Sequence, residues 1–372
     1  MRAIVKSIPA AGFDYRDDVP DAALGSREVR IEVAAASICG TDRELVNYTA
    51  AAQAFGLRLP VTLGHEVAGT VLETGSAVTR IQTGDRVALE SHIACGDCYH
   101  CRVGQGHNCL RMQLLGLHVD GGFAERTVVA EQACYQLPEG VSLEVGALFE
   151  PAGVAVHSLL RSEHTLAGES VIVAGGGPIG LVVVQLAQAL GARQVVVMEP
   201  NPFRRALAER WGAVTFLPSD EVDSWCRESA SDRGGFDIGF ECSGAPGALE
   251  VVMRSLRREA TVMCVGIQHA PVQLDLTHYA IKQGLTIKGS FGRSLWATWD
   301  RLAALVSSKR LDLESLITHR LPVADFGKAL GFLEADAAKV LLLPQLAESP
   351  STDSGHRLPA SQWAGGSIGA NE

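Results

Sequence analysis

"VIVAGGGPIGLVVVQLAQALGARQVVVMEP", from Val171 to Pro200, is the stretch whose reading decides the fold. Val171 to Ala174 reads as a buried strand. The turn "GGGPIG" follows, as Gly175-x-Gly177-x-x-Gly180, and "LVVVQLAQALGA" reads as a helix ending near Gly191. "QVVVMEP" is the next strand, ending at Glu199. Strand, glycine turn, helix, strand and acid together form a dinucleotide-binding pattern. The glycines make a tight turn and let backbone approach a pyrophosphate at the helix N-terminus, with Pro178 and Ile179 inside the turn. Glu199, nineteen residues past Gly180, is placed to accept from both ribose hydroxyls of NAD and to repel a 2′-phosphate. Arg204 is a further candidate cofactor contact, and with Arg205 it keeps NADP open as the alternative.

Further along, "FDIGFECSGA" (Phe236 to Ala245) and "ATVMCVGI" (Ala260 to Ile267) look like later parallel strands whose loops reach the cofactor. The stretch Val171 to Leu190 is apolar enough to raise the question of a membrane span. Its glycine turn and its Gln185 and Gln188 fit a buried strand, turn and helix better. The chain's 372 residues suit two domains, and its composition, 47% hydrophobic and 20% charged, is globular. A net charge of −10 gives no sign of a nucleic-acid partner. The opening "MRAIVKSIPAAGFDYRDD" does not read as a signal peptide, so the expectation is a cytoplasmic protein whose thiols stay reduced.

"CGDCYHCRVGQGHNC" holds four of the nine cysteines: Cys95, Cys98, Cys101 and Cys109. Four thiolates can fill a tetrahedral zinc shell and leave no place for substrate, so this site is expected to be structural. A redox CxxC pair and coincidental free thiols are the competing readings. His100 and His107 lie inside the lobe as spare ligands or exposed loop residues. A catalytic zinc needs an open position, hence three ligands or a labile fourth. "SICGTD" supplies Cys39, "LGHEVAGTV" supplies His65 and Glu66, and "ALFEPAGVAVHSLL" supplies Glu150. Each fragment alone is weak, since a lone cysteine is usually a small buried residue. Cys134, Cys226, Cys242 and Cys264 read as non-ligand thiols.

Taken together, "CGTD", "GHE", the four-cysteine lobe, "FEP" and "GGGPIG" resemble, in order, the zinc-dependent medium-chain alcohol dehydrogenases. "ESHIACGDCYHCRVGQGHNC", "DGGFAERTVV", "ECSGAP", "IKGSFGRSLWATW" and "LITHRLPVADFGKAL" look most like the L-threonine 3-dehydrogenase and sorbitol dehydrogenase branch. The resemblance covers roughly Met1 to Leu343 and implies an α/β fold. A Rossmann doubly wound parallel sheet is inserted into a mostly antiparallel β, GroES-like catalytic domain. Residues 1–156 would form that catalytic domain, with the structural zinc lobe at 95–109. Residues 157–288 would bind NAD, 289–345 would return to the catalytic domain, and 346–372, rich in Ser, Gly, Pro and Ala, would be a disordered tail.

The resemblance implies two zinc ions per chain and NAD as cofactor. Cys39, His65 and Glu66 would hold the catalytic zinc, with Glu150 as a direct or exchanging fourth group. Zinc would act as a Lewis acid on the hydroxyl of a small-molecule alcohol, Thr41 would take its proton, and hydride would pass to NAD, giving a ketone. Gly175, Gly177, Gly180 and Glu199 would bind NAD, and Val265, Gly266 and Ile267 would line the nicotinamide. His92 matches a histidine near substrate in the threonine enzymes, or is a hydrogen-bonded loop histidine. Arg293, in "GSFGR", reaches substrate or cofactor, or makes a surface salt bridge. Relatives are often tetramers, so a homotetramer or homodimer is expected, with no nucleic-acid or membrane partner.

Two departures bear on substrate. Glu44 stands where the family usually has His, three residues past the relay Thr; a carboxylate can also pass a proton to water. "ELVNYTAAAQAFGLRLP" lacks the Trp-Asp pair of threonine dehydrogenases, and "FEP" has Glu where many of them have Asp. A polyol, cyclitol or amino-alcohol dehydrogenase is therefore the alternative substrate class. A non-catalytic nucleotide-binding protein would have lost catalytic ligands, and all are present. A zinc-lobe interaction module would need basic flanks that are missing.

Overall fold

The computed structural model describes residues 1–218, 221–268 and 270–347. The expected tail lies outside the described residues from 348 onward. Val171 to Ala174 sit in the strand Ser170–Ala174, buried along its whole length. It is the first of six parallel strands in spatial order Val214–Phe216, Gln194–Met198, Ser170–Ala174, Phe236–Glu241, Leu256–Cys264 and Thr286–Gly289. That order, third-second-first-fourth-fifth-sixth in sequence, is the doubly wound arrangement. It reverses direction between Ser170–Ala174 and Phe236–Glu241, so the loops at their carboxyl ends part and leave a crevice.

The helix Pro178–Ala189 is buried on all sides, between this sheet and the helix Phe149–Ser162, with Leu181, Val182, Val183, Val184, Leu186 and Ala187 enclosed. Its proline sits in the first turn, where the missing N–H costs nothing, and Gly191 takes a positive φ of 83° just past its end. The helix Pro202–Arg210 starts in the same way. The Asn201 side chain accepts from the N–H groups of Phe203 and Arg204, which would otherwise be unpaired.

The second sheet has seven strands and is nearly all antiparallel. Its path runs Cys134–Gln136, Arg86–Leu89, Glu66–Thr74, Glu28–Ser37, Lys339–Leu342 and Ile317–Leu321, with Arg126–Ala130 also pairing Glu28–Ser37. The pair Ile317–Leu321 and Lys339–Leu342 is parallel, so the sheet is mixed at that end. Strands before and after the parallel sheet in sequence thus share one sheet. Alternation in Glu28–Ser37 buries Val29, Ile31 and Val33 on one face. One hydrophobic core joins the two sheets. It runs from Ala35, Ala68 and Ala88 through Leu148 and Phe149 to Val171, Leu181 and Trp299.

Candidate active site

Cys39 precedes the helix Gly40–Asn47, and His65 stands just before the strand Glu66–Thr74, which Glu66 opens. Pairing of Ser37 with Glu66 across two antiparallel strands brings these distant stretches together. One donor atom from each of Cys39, His65 and Glu66 lies within 4.8 Å of the others, and both His65 and Glu66 are buried. A thiol, an imidazole and a carboxylate converging in this way form a donor set that suits zinc with an open or exchangeable fourth position. Thr41 sits beside them, its Oγ1 3.7 Å from Cys39 Sγ.

A carboxylate not singled out by sequence organises this cluster. Asp42 is fully buried; its Oδ2 accepts the Cys39 N–H at 2.8 Å, and its Oδ1 faces His65 Nδ1 at 3.4 Å. Burial opposes charge on His65, but Asp42 outweighs it and holds the imidazole well above its ordinary range. Metal binding at His65 would release that proton. The third residue of "GTD", just past a candidate ligand, was the available signal. Glu66 meets Ser37 Oγ and Lys339 Nζ. Burial raises the Glu66 carboxyl while Lys339 pulls against that; Glu66 in turn overcomes burial to keep Lys339 charged, and the two form a buried ion pair.

Glu150 lies in the first turn of the helix Phe149–Ser162. Burial alone would raise it, but Arg293 outweighs burial and holds the carboxyl below its usual range. A second group of donor atoms within 4.8 Å comprises Glu90, His92 and Glu150. His92 Nδ1 lies 3.0 Å from Ser91 Oγ and 3.2 Å from Glu90 Oε1, and its ring meets Phe291 edge-on. Arg293 runs against expectation. Its guanidinium is buried and bound to Glu90 and Glu150, so it is not a surface salt bridge. Its three nitrogens all donate to Glu90 or Glu150. Arg204 is likewise occupied, donating to the carbonyls of Ala337 and Leu333.

In the cysteine lobe, Cys98 Sγ lies 3.5 Å from Cys101 Sγ and 3.9 Å from Cys109 Sγ, and Cys95 Sγ lies 3.9 Å from Cys101 Sγ. All four sulfurs fall within 4.8 Å of one another, a spacing that fits a tetrahedral ion and no disulfide. Backbone N–H groups of Cys101 and Leu110 pull Cys98 down to about 6, whereas burial pushes Cys101 up to about 12.

The nucleotide turn fits a pyrophosphate. A Cβ on Gly180 would lie 1.9 Å from Gly175 O, so only glycine lets helix and strand approach so closely. A Cβ on Gly177 would meet nothing within 4 Å, which is the open side of the turn. Glu199 is buried; its Oε2 accepts the Gly176 N–H at 2.6 Å and its Oε1 the Asn201 N–H at 2.8 Å, leaving lone pairs for ribose hydroxyls. Across the crevice Val265 and Gly266 donate to Glu241 O, and Ile267 is largely exposed. Pro151, Pro178 and Lys339 line one small cleft, so the helix after the turn, the Glu150 helix and the partner of Glu66 converge.

Fold and site together describe a nucleotide-dependent dehydrogenase that carries metal. Residues 25–139 match the alcohol dehydrogenase GroES-like domain, and residues 178–308 match the zinc-binding dehydrogenase domain. An L-threonine 3-dehydrogenase of Bacillus velezensis is 36% identical over 92% of this chain and 99% of its own. Among solved structures, a zinc-binding dehydrogenase from Sinorhizobium meliloti bound to NADP superposes with a TM-score of 0.83 at 30% identity, covering 92% of this chain and 99% of that one. Galactitol-1-phosphate dehydrogenase from Escherichia coli does so with a TM-score of 0.83 at 29% identity, covering 92% and 100%. The chain belongs to the zinc-dependent medium-chain alcohol dehydrogenases, in the branch of the L-threonine 3-dehydrogenases. It is an oxidoreductase acting on CH–OH donors. No helix among the described residues is long and apolar enough to cross a membrane.

Proposed function

We propose that the protein oxidises a secondary alcohol to a ketone with NAD, in the manner of an L-threonine 3-dehydrogenase, at the cluster of Cys39, His65 and Glu66. The observation that carries this is the convergence of those three donors within 4.8 Å, with Thr41 beside them. When bound, zinc supplies a Lewis acid there and NAD a hydride acceptor. Glu150 is a fourth, exchanging donor. Thr41 takes the substrate's proton, and Glu44 is the exit toward water. Gly175, Gly177, Gly180 and Glu199 hold the cofactor, and Glu199 selects NAD over NADP. The four cysteines of the lobe hold a second, structural zinc.

The 47–60 stretch favours a second reading of the substrate. It contains no Asp or Glu to receive an ammonium group. The lack of an acid there suits a neutral polyol or cyclitol better than L-threonine. Incubation of the zinc-containing enzyme with NAD and L-threonine, other amino alcohols, sugar alcohols and inositols, followed by NADH absorbance, tests both readings. Oxidation of none of them would overturn the reaction. Efficient L-threonine oxidation would overturn the polyol reading.

A homodimer or homotetramer is the accompanying inference. Thr286–Gly289 is an edge of the parallel sheet, and Ile281 and Ile287 are exposed on or just before it. Light scattering on a size-exclusion column tests this, and a monomer at micromolar concentration would exclude it.

A further inference from the structure

Glu90 is fully buried between the strands Arg86–Leu89 and His92–Ile93. Its Oε2 accepts from Arg293 Nε at 2.9 Å and from the Trp299 indole N–H at 2.8 Å. Its Oε1 accepts from Arg293 Nη2 and from the His92 backbone N–H at 2.9 Å. Arg293 therefore gives its two-pronged fork to Glu90, the stronger geometry for a guanidinium and a carboxylate. On its other side Arg293 Nη2 reaches Glu150 Oε1 at 2.8 Å, and Nη1 donates to Glu150 O at 3.0 Å.

Two buried carboxylates thus share one guanidinium, with His92 Nδ1 also 3.2 Å from Glu90 Oε1. Among the described residues no other Lys or Arg pairs with either acid. Glu150 has the lesser share of the guanidinium. Its donors, Ser91 Oγ and Arg293 Nη2, both converge on Oε1, and among the described residues no hydrogen bond goes to Oε2. Trp299, itself fully buried between the rings of Tyr135 and Phe149, fixes the Glu90 carboxylate so that the fork cannot turn to Glu150.

We propose that Glu90 is a positioning residue: it takes the Arg293 fork, so that Glu150 is held at one oxygen only, with the other free to join Cys39, His65 and Glu66 on the metal. This rests on the assignment of that cluster as the catalytic zinc site. Without the Glu90 charge, Arg293 has a single anion left and draws Glu150 into the fork, away from the metal.

The test is zinc affinity in the full chain, followed by chelator competition with metal analysis. The structural zinc serves as the internal reference. Glu90→Gln keeps size and shape and should weaken the more labile zinc by roughly 10–100-fold, the usual scale for a residue behind a ligand, while the lobe keeps its zinc and NAD affinity stays within about twofold. Trp299→Phe removes one hydrogen bond to the same carboxylate and leaves every charge in place. It should weaken the labile zinc by about threefold, and it decides the matter if Glu90→Gln does not fold. Two zinc ions held with wild-type affinity in Glu90→Gln, or in Trp299→Phe if only that variant folds, would overturn the inference alone; so would equal weakening of both ions. A wild-type protein that binds a single zinc would overturn the cluster assignment and the inference with it.

Discussion

Oδ1 of Asp42 faces Nδ1 of His65 at 3.4 Å, while Oδ2 of the same buried carboxylate accepts the Cys39 N–H at 2.8 Å. One side chain thus holds two of the three candidate ligands, orienting the imidazole ring and pinning the backbone that carries the thiol. A carboxylate behind a ligating histidine fixes the ring and raises its basicity.

Asp42→Asn keeps an acceptor for the Cys39 N–H and removes the charge facing His65. The labile zinc should then bind roughly 10–100-fold more weakly, with turnover falling in step at limiting zinc. Stability should change by no more than about 1 kcal/mol, the scale of a helix cap. Zinc titration and thermal melting of the same preparation separate the two effects. Unchanged zinc affinity would reduce Asp42 to a cap.

The two cysteine sites should fail differently. Cys39→Ser should abolish turnover in a protein that stays folded. Cys98→Ser should lower the melting temperature or disrupt assembly and leave one zinc per chain, because a structural zinc contributes folding free energy directly. A Cys98→Ser protein of full stability that lacks only activity would exclude the lobe as scaffold.

What sequence reveals here follows how local each constraint is. Gly175-x-Gly177-x-x-Gly180 is readable because each glycine answers a local backbone demand: a φ of 95° at Gly175, open space at Gly177, a close approach at Gly180. The lobe is readable because its four ligands lie within one short loop. Pairings between distant charges are another matter. Lys339 meets Glu66 across 273 positions and Arg293 meets Glu90 across 203, and nothing near any of these residues names its partner. "GSFGR" lies in a loop leaving the parallel sheet, which suggests a cofactor contact for Arg293. Its two buried carboxylate partners are not legible there, although a buried guanidinium is costly unless paired.

Glu199 should make the enzyme prefer NAD. Its carboxylate is fixed by two backbone N–H groups at the turn, where a 2′-phosphate would meet a like charge. Glu199→Ala should weaken NAD binding and improve the relative use of NADP. Comparison of kcat/KM for the two cofactors in both proteins measures this. A wild-type enzyme that used NADP as well as NAD would remove Glu199 as selector.

His157 should contribute acid sensitivity. Burial, with His107 and Arg161 facing it, pushes His157 down to about 4, and its Nδ1 accepts the Ser294 N–H at 3.4 Å. Its neutral form is therefore favoured in the folded state. Its contribution is complete above the ordinary value near 6.5 and is lost as pH falls toward 4, because the unfolded chain binds the extra proton. The slope from one such group is at most about 1.4 kcal/mol per pH unit. His157→Asn keeps an acceptor for Ser294 and should flatten the fall in denaturant midpoint between pH 7 and pH 5. An unaltered slope would place the acid sensitivity elsewhere.

Glu44 tests the proton path. It lies midway along the helix Gly40–Asn47, where its Oε2 accepts from Thr49 Oγ1 at 2.6 Å, and its side chain is 23% exposed, so it faces both protein and water. Thr41 lies one turn earlier on the same helix, beside Cys39. That spacing suits a group that receives a proton from inside and releases it to solvent. Glu44→Gln keeps the hydrogen bond to Thr49 and removes the basic site. Turnover at neutral pH should fall, and its pH profile should move, while NAD affinity stays constant. Loss of a general base commonly costs roughly 10²–10⁴-fold, and an exit group that water can replace should cost less. Glu44→His restores a titratable group at the same place and should keep activity. A Glu44→Gln enzyme with the wild-type rate and pH profile would show that the proton leaves by way of Thr41 and the cofactor ribose alone.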